Sequence, residues 1–302
     1  MKKIVSVSLG SSKRDHEVNT RFFEEEFHIR RIGTDGDFKK AGEILEELDG
    51  KVDAIGLGGL DIYLYAGEKR YPLRDGIRLM EKAKKTPVVD GSGLKNTLES
   101  EVIKQIDKEV LPLKNKTVLM VSALDRNGMA KTFWECGARV TFGDFIFALG
   151  IDKPLNSFQE LEEQAEKLLP EIGKLPIGFI YPIGKEQENS KSANPKFFHY
   201  YEESDIIAGD FHFIRKHKPK KLKNKIIVTN TITPNDLQDF KDSETAIVIT
   251  TTPELNGRSF GTNVLEAAFL AILGKKWEEV QKEEYLRLLQ ELRLKPRIEK
   301  LN

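Results

Sequence analysis

The chain has 302 residues, enough for two domains with cores of their own by the soft prior of ~150 residues each. Its 48 Lys+Arg balance 48 Asp+Glu, so a broad electrostatic footprint for nucleic acid or an anionic membrane is excluded, leaving small molecules or copies of itself as partners. One cysteine, Cys136, rules out an intrachain disulfide or thiolate metal site, and no apolar run reaches the ~18 residues of a membrane span.

The opening Met-Lys-Lys-Ile-Val-Ser-Val enters a strand with no long apolar leader region, so a cytoplasmic location is the expectation. Residues 4–9 (I-V-S-V-S-L) read as a buried first strand closed by Gly10-Ser11-Ser12. Glu17 to Glu26 has helical potential, and His28 to Ile32 is a second β run closed by G-T-D-G-D. Asp37 opens an amphipathic helix with Ala41, Ile44, Leu45 and Leu48 on one face and Gly50 as its stop. Val52 to Leu57 is a third strand, Tyr71 to Lys85 contains a helix, and Pro87 to Val89 is a fourth strand before Asp90-Gly91-Ser92-Gly93. A helix from about Leu94 to Glu109 then leads to Leu111-Pro112, the expected domain boundary.

Lys116 to Asp144 carries a strand (Val118 to Val121), a polar turn, a helix spaced by Met129, Phe133 and Trp134, and a second strand (Arg139 to Phe142) ending in Gly143-Asp144. This is the pattern of a dinucleotide-binding βαβ unit, in which the turn backbone meets a pyrophosphate at a helix N-terminus. Ser122, Ala123, Arg126, Asn127 and Gly128 are therefore candidate cofactor-binding residues, and Asp144, 22 positions after Ser122, would accept the ribose hydroxyls, which suits NAD better than NADP. The turn reads S-A-L-D-R-N-G in place of G-x-G-x-x-G, so an ordinary βαβ unit without nucleotide is the alternative. A helix (Ser157 to Leu169), a strand (Ile177 to Tyr181) and a polar excursion (Gly184 to Asn194) follow. Strands Ile206 to Ala208, Lys225 to Val228 and Ala246 to Ile249 end in polar tips that place Thr229, Asn230 and Thr251 where such a sheet meets its cofactor. Gly257 to Asn263 reads as a polar loop whose Arg258 would bind an anion, Asn263 to Leu273 as a buried helix between domains, and Trp277 to Leu294 as an amphipathic element that either docks back or forms a homodimer.

Strands alternating with helices at this rhythm predict two doubly wound, mostly parallel α/β domains, the second Rossmann-like, with a cleft between them. The expected division is a substrate domain over 1–112, a dinucleotide-binding domain over 113–274 and a helical tail over 275–302.

The five histidines lack zinc-site spacing, and neither a G-x-S-x-G elbow nor a phosphate loop is present, so no metal is expected. Lys95, at a strand-to-helix turn in the cleft, would lose hydration and act as a general base near neutrality, with Asn96 and Thr97 bonding substrate hydroxyls. Asp35 and Asp61 would orient that lysine or bind the substrate. Ser6 and Ser8 share one face of the first strand, followed by Ser11, Ser12, Lys13 and Arg14 as a carboxylate or phosphate cradle. Asp210 and His212, beside Arg215 and Lys216, would touch substrate or nicotinamide. The plain alternatives are a solvated Lys95, a helix-capping Asp90 and turn aspartates with local roles.

V-S-V-S-L-G-S-S-K-R-D-H, R-I-G-T-D-G-D, V-D-G-S-G-L-K-N-T-L-E, G-D-F-H-F-I-R and T-T-T-P-E-L-N-G-R-S-F-G-T-N-V resemble a bacterial family known as quinate 5-dehydrogenases, over nearly all of the chain before Lys275. The resemblance implies NAD(P)-linked oxidation of a ring hydroxyl in a polyhydroxy carboxylic acid, and kinship with the shikimate dehydrogenases, whose S-x-S pair for the substrate carboxylate is matched by Ser6-Val7-Ser8. The catalytic lysine's N-V-T-x-P-x-K context is absent, so Lys95 is similar only by its place in the first domain; Thr34-Asp35-Gly36 comes far earlier than that family's N-T-D-G, and the glycine-rich loop is reduced. The expected function is an NAD(P)-dependent dehydrogenase of a quinate- or shikimate-like hydroxy acid. Its rivals are a non-redox ligand-binding or regulatory protein and a lyase or isomerase using Lys95 as a Schiff-base amine.

Overall fold

The computed structural model describes residues 1–67, 69–179, 193–252, 254–255, 258–259, 261–292 and 295–301. β1 (Lys2–Ser8) is buried from Ile4 onward, as a strand covered on both faces must be, and it forms the middle of the first sheet. β2 (His16–Phe22) and β3 (Glu25–Gly33) form a hairpin on one side of it, and β4 (Ala54–Gly58) lies on the other. The helix expected over Glu17 to Glu26 is this hairpin instead. Its turn residues Phe23 and Glu24 have φ of 50° and 65°, the left-handed pair that matches strand twist, and the charges that suggested a helix decorate an edge strand.

α1 (Phe38–Leu48) is capped by Asp37, whose side chain accepts the N–H of Lys40. After β4, a small ribbon of β5 (Tyr63–Ala66) and β6 (Lys69–Pro72) precedes α2 (Arg74–Met80) and β7 (Val88–Val89), giving the sheet order β2-β3-β1-β4-β7, parallel except for β2. α3 (Ser92–Gln105) then carries the chain into the second half.

There, β8 (Thr117–Met120), α4 (Asn127–Glu135), β9 (Arg139–Phe142), α5 (Asp144–Leu149), α6 (Phe158–Ile172), α7 (Phe198–Glu203), β10 (Ile206–Ala208), α8 (Phe211–His217), β11 (Ile226–Thr229), α9 (Pro234–Asp242) and β12 (Ile247–Thr250) alternate as a doubly wound unit. Ile177 to Phe179, expected to open a strand, form one 3₁₀ turn; the rest of that strand and positions 184–192 of the polar excursion lie outside the described residues. A two-residue ribbon, β13 (Glu254–Leu255) with β14 (Arg258–Ser259), precedes α10 (Thr262–Leu273). The Arg258 side chain and positions 256, 257 and 260 of the expected anion-binding loop also lie outside the described residues.

The tail differs from the expected helical form. α11 (Lys282–Glu291) is followed by β15 (Arg297–Lys300), which pairs antiparallel with β12 and closes the edge of the second sheet, ordered β15-β12-β11-β10-β8-β9. β8 therefore lies where the winding reverses, and the space beyond the carboxyl ends of β8 and β10 is the place where such sheets bind ligands.

α10 does not stay with the second sheet. Its apolar residues Val264, Ala267, Ala268, Leu270 and Ala271 share a core with Ile4, Phe27, Ile29, Ala54 and Val89 of the first sheet. Gly91, at a left-handed φ of 92°, lets this helix in: a Cβ there would stand 2.6 Å from the backbone nitrogen of Asn263. No described helix is long and apolar enough to cross a membrane.

Candidate functional site

The loop after β4 is held against the start of α3 by Asp90. Its Oδ1 accepts the N–H of Ser92 at 2.8 Å, and its Oδ2 accepts those of Ile62 and, at 3.3 Å, Tyr63. This brings Asp61 to Lys95, whose Nζ donates to Asp61 Oδ1 at 2.6 Å and to Asp125 Oδ1 at 2.8 Å. The next residue of the β8 turn, Arg126, uses its whole fork on carboxylates: Nε to Asp125 at 3.1 Å, Nη1 to Glu99 at 2.7 Å and Nη2 to Asp210 at 2.9 Å. Asn230 Nδ2 adds a bond to Asp210 at 3.0 Å. A line of charge thus runs from the first domain, across α3, through the β8 turn, to the tips of β10 and β11. It is buried, with Asp61, Lys95 and Arg126 no more than 6% exposed.

Protonation follows from this packing. Burial, aided by the charges of Asp125 and Asp90, pushes the Asp61 carboxyl well above its usual range against the pull of Lys95. Burial opposes the Lys95 charge, but Asp125 and Asp61 outweigh it and hold the ammonium above its ordinary range. The neutral amine expected of a general base is therefore replaced by a fixed cation, because desolvation acts here together with two carboxylates and not alone. The same charge disfavours a Schiff-base role.

The other expected site residues have their own partners. Asp35, at φ 53°, accepts the N–H of Ser12 at 2.8 Å and shapes the loop after β1. Ser6 Oγ accepts Asn263 Nδ2 at 2.9 Å, and Ser8 Oγ accepts Arg31 Nη2 at 3.0 Å and the Gly10 N–H at 3.1 Å. Asn96 Oδ1 accepts the Gly128 N–H at 2.9 Å, joining an expected substrate residue to an expected cofactor residue, and Thr97 is buried in α3. Ser122 Oγ accepts the N–H of Asp210 at 3.0 Å, and Thr229 Oγ1 donates to the carbonyl of Gly209 at 2.9 Å. Asn127 Nδ2 and Thr251 Oγ1 are buried without a hydrogen-bond partner among the described residues.

The residues present do not fit a dinucleotide pyrophosphate. Asp144, expected on a ribose, accepts the N–H groups of Ala123 at 3.1 Å and Leu124 at 3.0 Å, the donors a phosphate would need. Burial raises its carboxyl to about 6, with those two N–H groups acting against the rise. Gly128 serves the crossing of α3 and α4, since a Cβ there would lie 2.5 Å from Asn96 Cα. Every nitrogen of the Arg126 guanidinium already bonds a carboxylate, and Asp125, Asp144 and Asp210 give the turn a negative surround.

At the seam between the domains, Arg14 from the loop after β1 places Nη1 3.2 Å from His212 Nε2. A guanidinium only donates, so Nε2 accepts and Nδ1 carries the proton. Burial lowers the pKa of His212 to about 4 against the charge of Asp210, and the ring is neutral. Arg14 Nη2 and Arg215 Nη1 approach opposite oxygens of Asp236 at 3.6 Å each.

Two acids escaped sequence reading, Glu99 and Glu266. Each is a lone carboxyl in a buried helix stretch, which is the signal that marks them. Glu266 Oε1 accepts the Tyr285 hydroxyl at 2.8 Å, while Oε2 has no hydrogen-bond partner among the described residues. Burial, aided by Asp90, raises its carboxyl from 4.5 to about 8. Between those values the folded state keeps a proton that the unfolded state releases, so stability falls as pH rises through that window. Glu266→Gln is expected to flatten this slope, giving the variant its largest relative gain above pH 8; urea midpoints at pH 5, 6, 7 and 8 check it.

A family model described as domain of unknown function DUF8754 matches residues 93–301. The chain belongs to the DUF8754 family. A second model, DUF8753, matches residues 3–90, so the two meet where β7 hands over to α3, upstream of the boundary expected at 112. No curated protein matches the sequence. Among solved structures, this DUF8754 chain is similar to an ABC transporter solute binding protein from Agrobacterium vitis with bound allitol, at 10% identity and a TM-score of 0.44, covering 100% of this chain and 96% of that one. It is also similar to the hetero-hexameric glutamate dehydrogenase from Thermus thermophilus (12%, TM-score 0.39, covering 97% and 74%) and to the NAD-dependent malic enzyme from Thermotoga maritima (13%, TM-score 0.35, covering 96% and 84%). Binding proteins and dehydrogenases thus both occur among its structural neighbours, and TM-scores below 0.5 carry no argument for either.

Proposed function

We propose that the protein binds a small organic acid at the seam between its two α/β domains and has turned the β8 turn from cofactor binding to domain joining. The observation that carries this reading is the Asp144 carboxylate on the N–H groups of Ala123 and Leu124, which closes the turn to a pyrophosphate. The acid would be met by Arg14 and Arg215, which come from opposite domains, are 30% and 35% exposed, and hold Asp236 at 3.6 Å, longer than a tight charge-assisted bond of ~2.8 Å. Each fork therefore has donors left for a ligand carboxylate.

A second reading, implied by the sequence resemblance, is an NAD(P)-dependent dehydrogenase of a quinate- or shikimate-like acid. Its supporting observation is the Asp61–Lys95 pair between the domains, two ionisable side chains bonded at 2.6 Å.

Titration with quinate, shikimate, NAD, NADH and NADP, followed by melting temperature and reduced-nicotinamide fluorescence, separates the two. The expected result is a rise of several degrees with a hydroxy acid at ~100 times its Kd, lost in Arg14→Ala, and no response to dinucleotides. Submillimolar NADH binding with hydride transfer overturns the first reading in favour of the second.

A further inference from the structure

The carboxyl edge of the second sheet holds a cavity of ≈ 100 Å³ that the organic-acid reading does not use, on the side of the β8 turn that is closed to a pyrophosphate. Its floor is the β8 turn, with Leu124, Asp125 and Asp144, and its walls are the facing sides of α5 and α6 together with Leu64 of the first domain and Phe213 of α8. Nearly all of its surface comes from apolar atoms. Asp125 turns its oxygens to the cations Lys95 and Arg126, and Asp144 turns both of its own to backbone N–H groups, so neither acid offers a bonding edge and Asp144 is the one without a cationic partner among the described residues.

The mouth has a second peculiarity. Leu149, Leu175 and Phe179 ring it while 48%, 45% and 74% exposed, and they are three of the seven large hydrophobic side chains left exposed among the described residues. Exposed apolar groups gathered at one opening mark a binding site more often than scattered ones do. A dry apolar cavity of this order of size accepts a single aromatic ring. The floor carboxylates set the sign: an anion placed there would face Asp144, with which no cationic side chain pairs among the described residues.

We infer that this cavity is a binding site for a small neutral apolar molecule of about one ring's size, closed to anions by its apolar lining and by the Asp144 carboxylate beneath it. It is separate from the arginine seam, and the two can be lost independently.

Toluene and benzoate, one ring without and with a carboxylate, are the probes. Binding is followed by calorimetry and by melting temperature on the full chain, for wild type, Ala148→Phe, Leu168→Trp and Arg14→Ala. Ala148 is an exposed residue of α5 at the cavity wall, so a phenylalanine there fills the space without entering the core. The expected result is saturable toluene binding, weakened at least tenfold in both cavity variants and unchanged in Arg14→Ala, with benzoate insensitive to the cavity variants. Toluene that fails to saturate, binding untouched by both cavity variants, or benzoate binding lost with them would each overturn the assignment. Loss of acid binding in Arg14→Ala with toluene retained supports the separation of the two sites.

Discussion

Arg126→Met is expected to lower the unfolding midpoint by on the order of 10 °C. The substitution keeps length and apolar packing but removes the one group that meets Glu99, Asp125 and Asp210, at 2.7, 3.1 and 2.9 Å. Three carboxyls are then left in a site where Arg126 itself is only 3% exposed. Removing one partner of a buried ion cluster costs about 3–5 kcal/mol, since the remaining charges must take up protons or water, and each kcal/mol moves the midpoint of a chain this size by roughly 2–4 °C. Arg126→Lys retains the charge but loses the fork, so an intermediate loss is expected. Calorimetric melts of the three proteins check this. A shift under ~2 °C for the methionine variant would mean that the domains are joined by apolar packing alone.

Gly128→Ala is the second large effect. In a phosphate-binding turn the added methyl would weaken the cofactor and leave the fold alone. Here it would stand 2.5 Å from Asn96 Cα and carbonyl oxygen, in backbone that cannot step aside. Overpacking of this kind costs about 1–3 kcal/mol, and it also strains the bond from the Gly128 N–H to Asn96 Oδ1 at 2.9 Å. The expected outcome is a lower urea midpoint with an unchanged slope. Wild-type stability with altered NADH binding would return Gly128 to the role of a cofactor glycine.

The α/β class was legible because its central strands are short apolar runs with polar or glycine bounds, Thr117 and Ser122 around Val118 to Val121, Asp205 and Gly209 around Ile206 to Ala208. β2 was not, because an edge strand with alternating charge carries the same composition as an exposed helix. β15 is four residues, R-I-E-K, and owes its existence to the free edge of β12. At the site, Lys95, Asp61, Arg126 and Asp210 could be singled out one by one. Their pairing could not, since Lys95 reaches Asp61 and Asp125 over 34 and 30 positions and Arg126 reaches Asp210 over 84. Protonation was inverted for the same reason: desolvation is a property of the residue's place, but its balance depends on neighbours that only the fold assembles.

The reach of α10 back to the first sheet has a consequence for how the chain is made. Ile4, Phe27, Ile29, Ala54 and Val89 stay uncovered on one face until residues 264–271 leave the ribosome, the first of them 264 − 89 = 175 positions after Val89. At about 5–20 residues per second that is on the order of ten seconds or more with an apolar sheet face open to water. The amino-terminal half therefore cannot mature ahead of its partner as independent domains do. Both halves reach their final state together, after synthesis has passed α10.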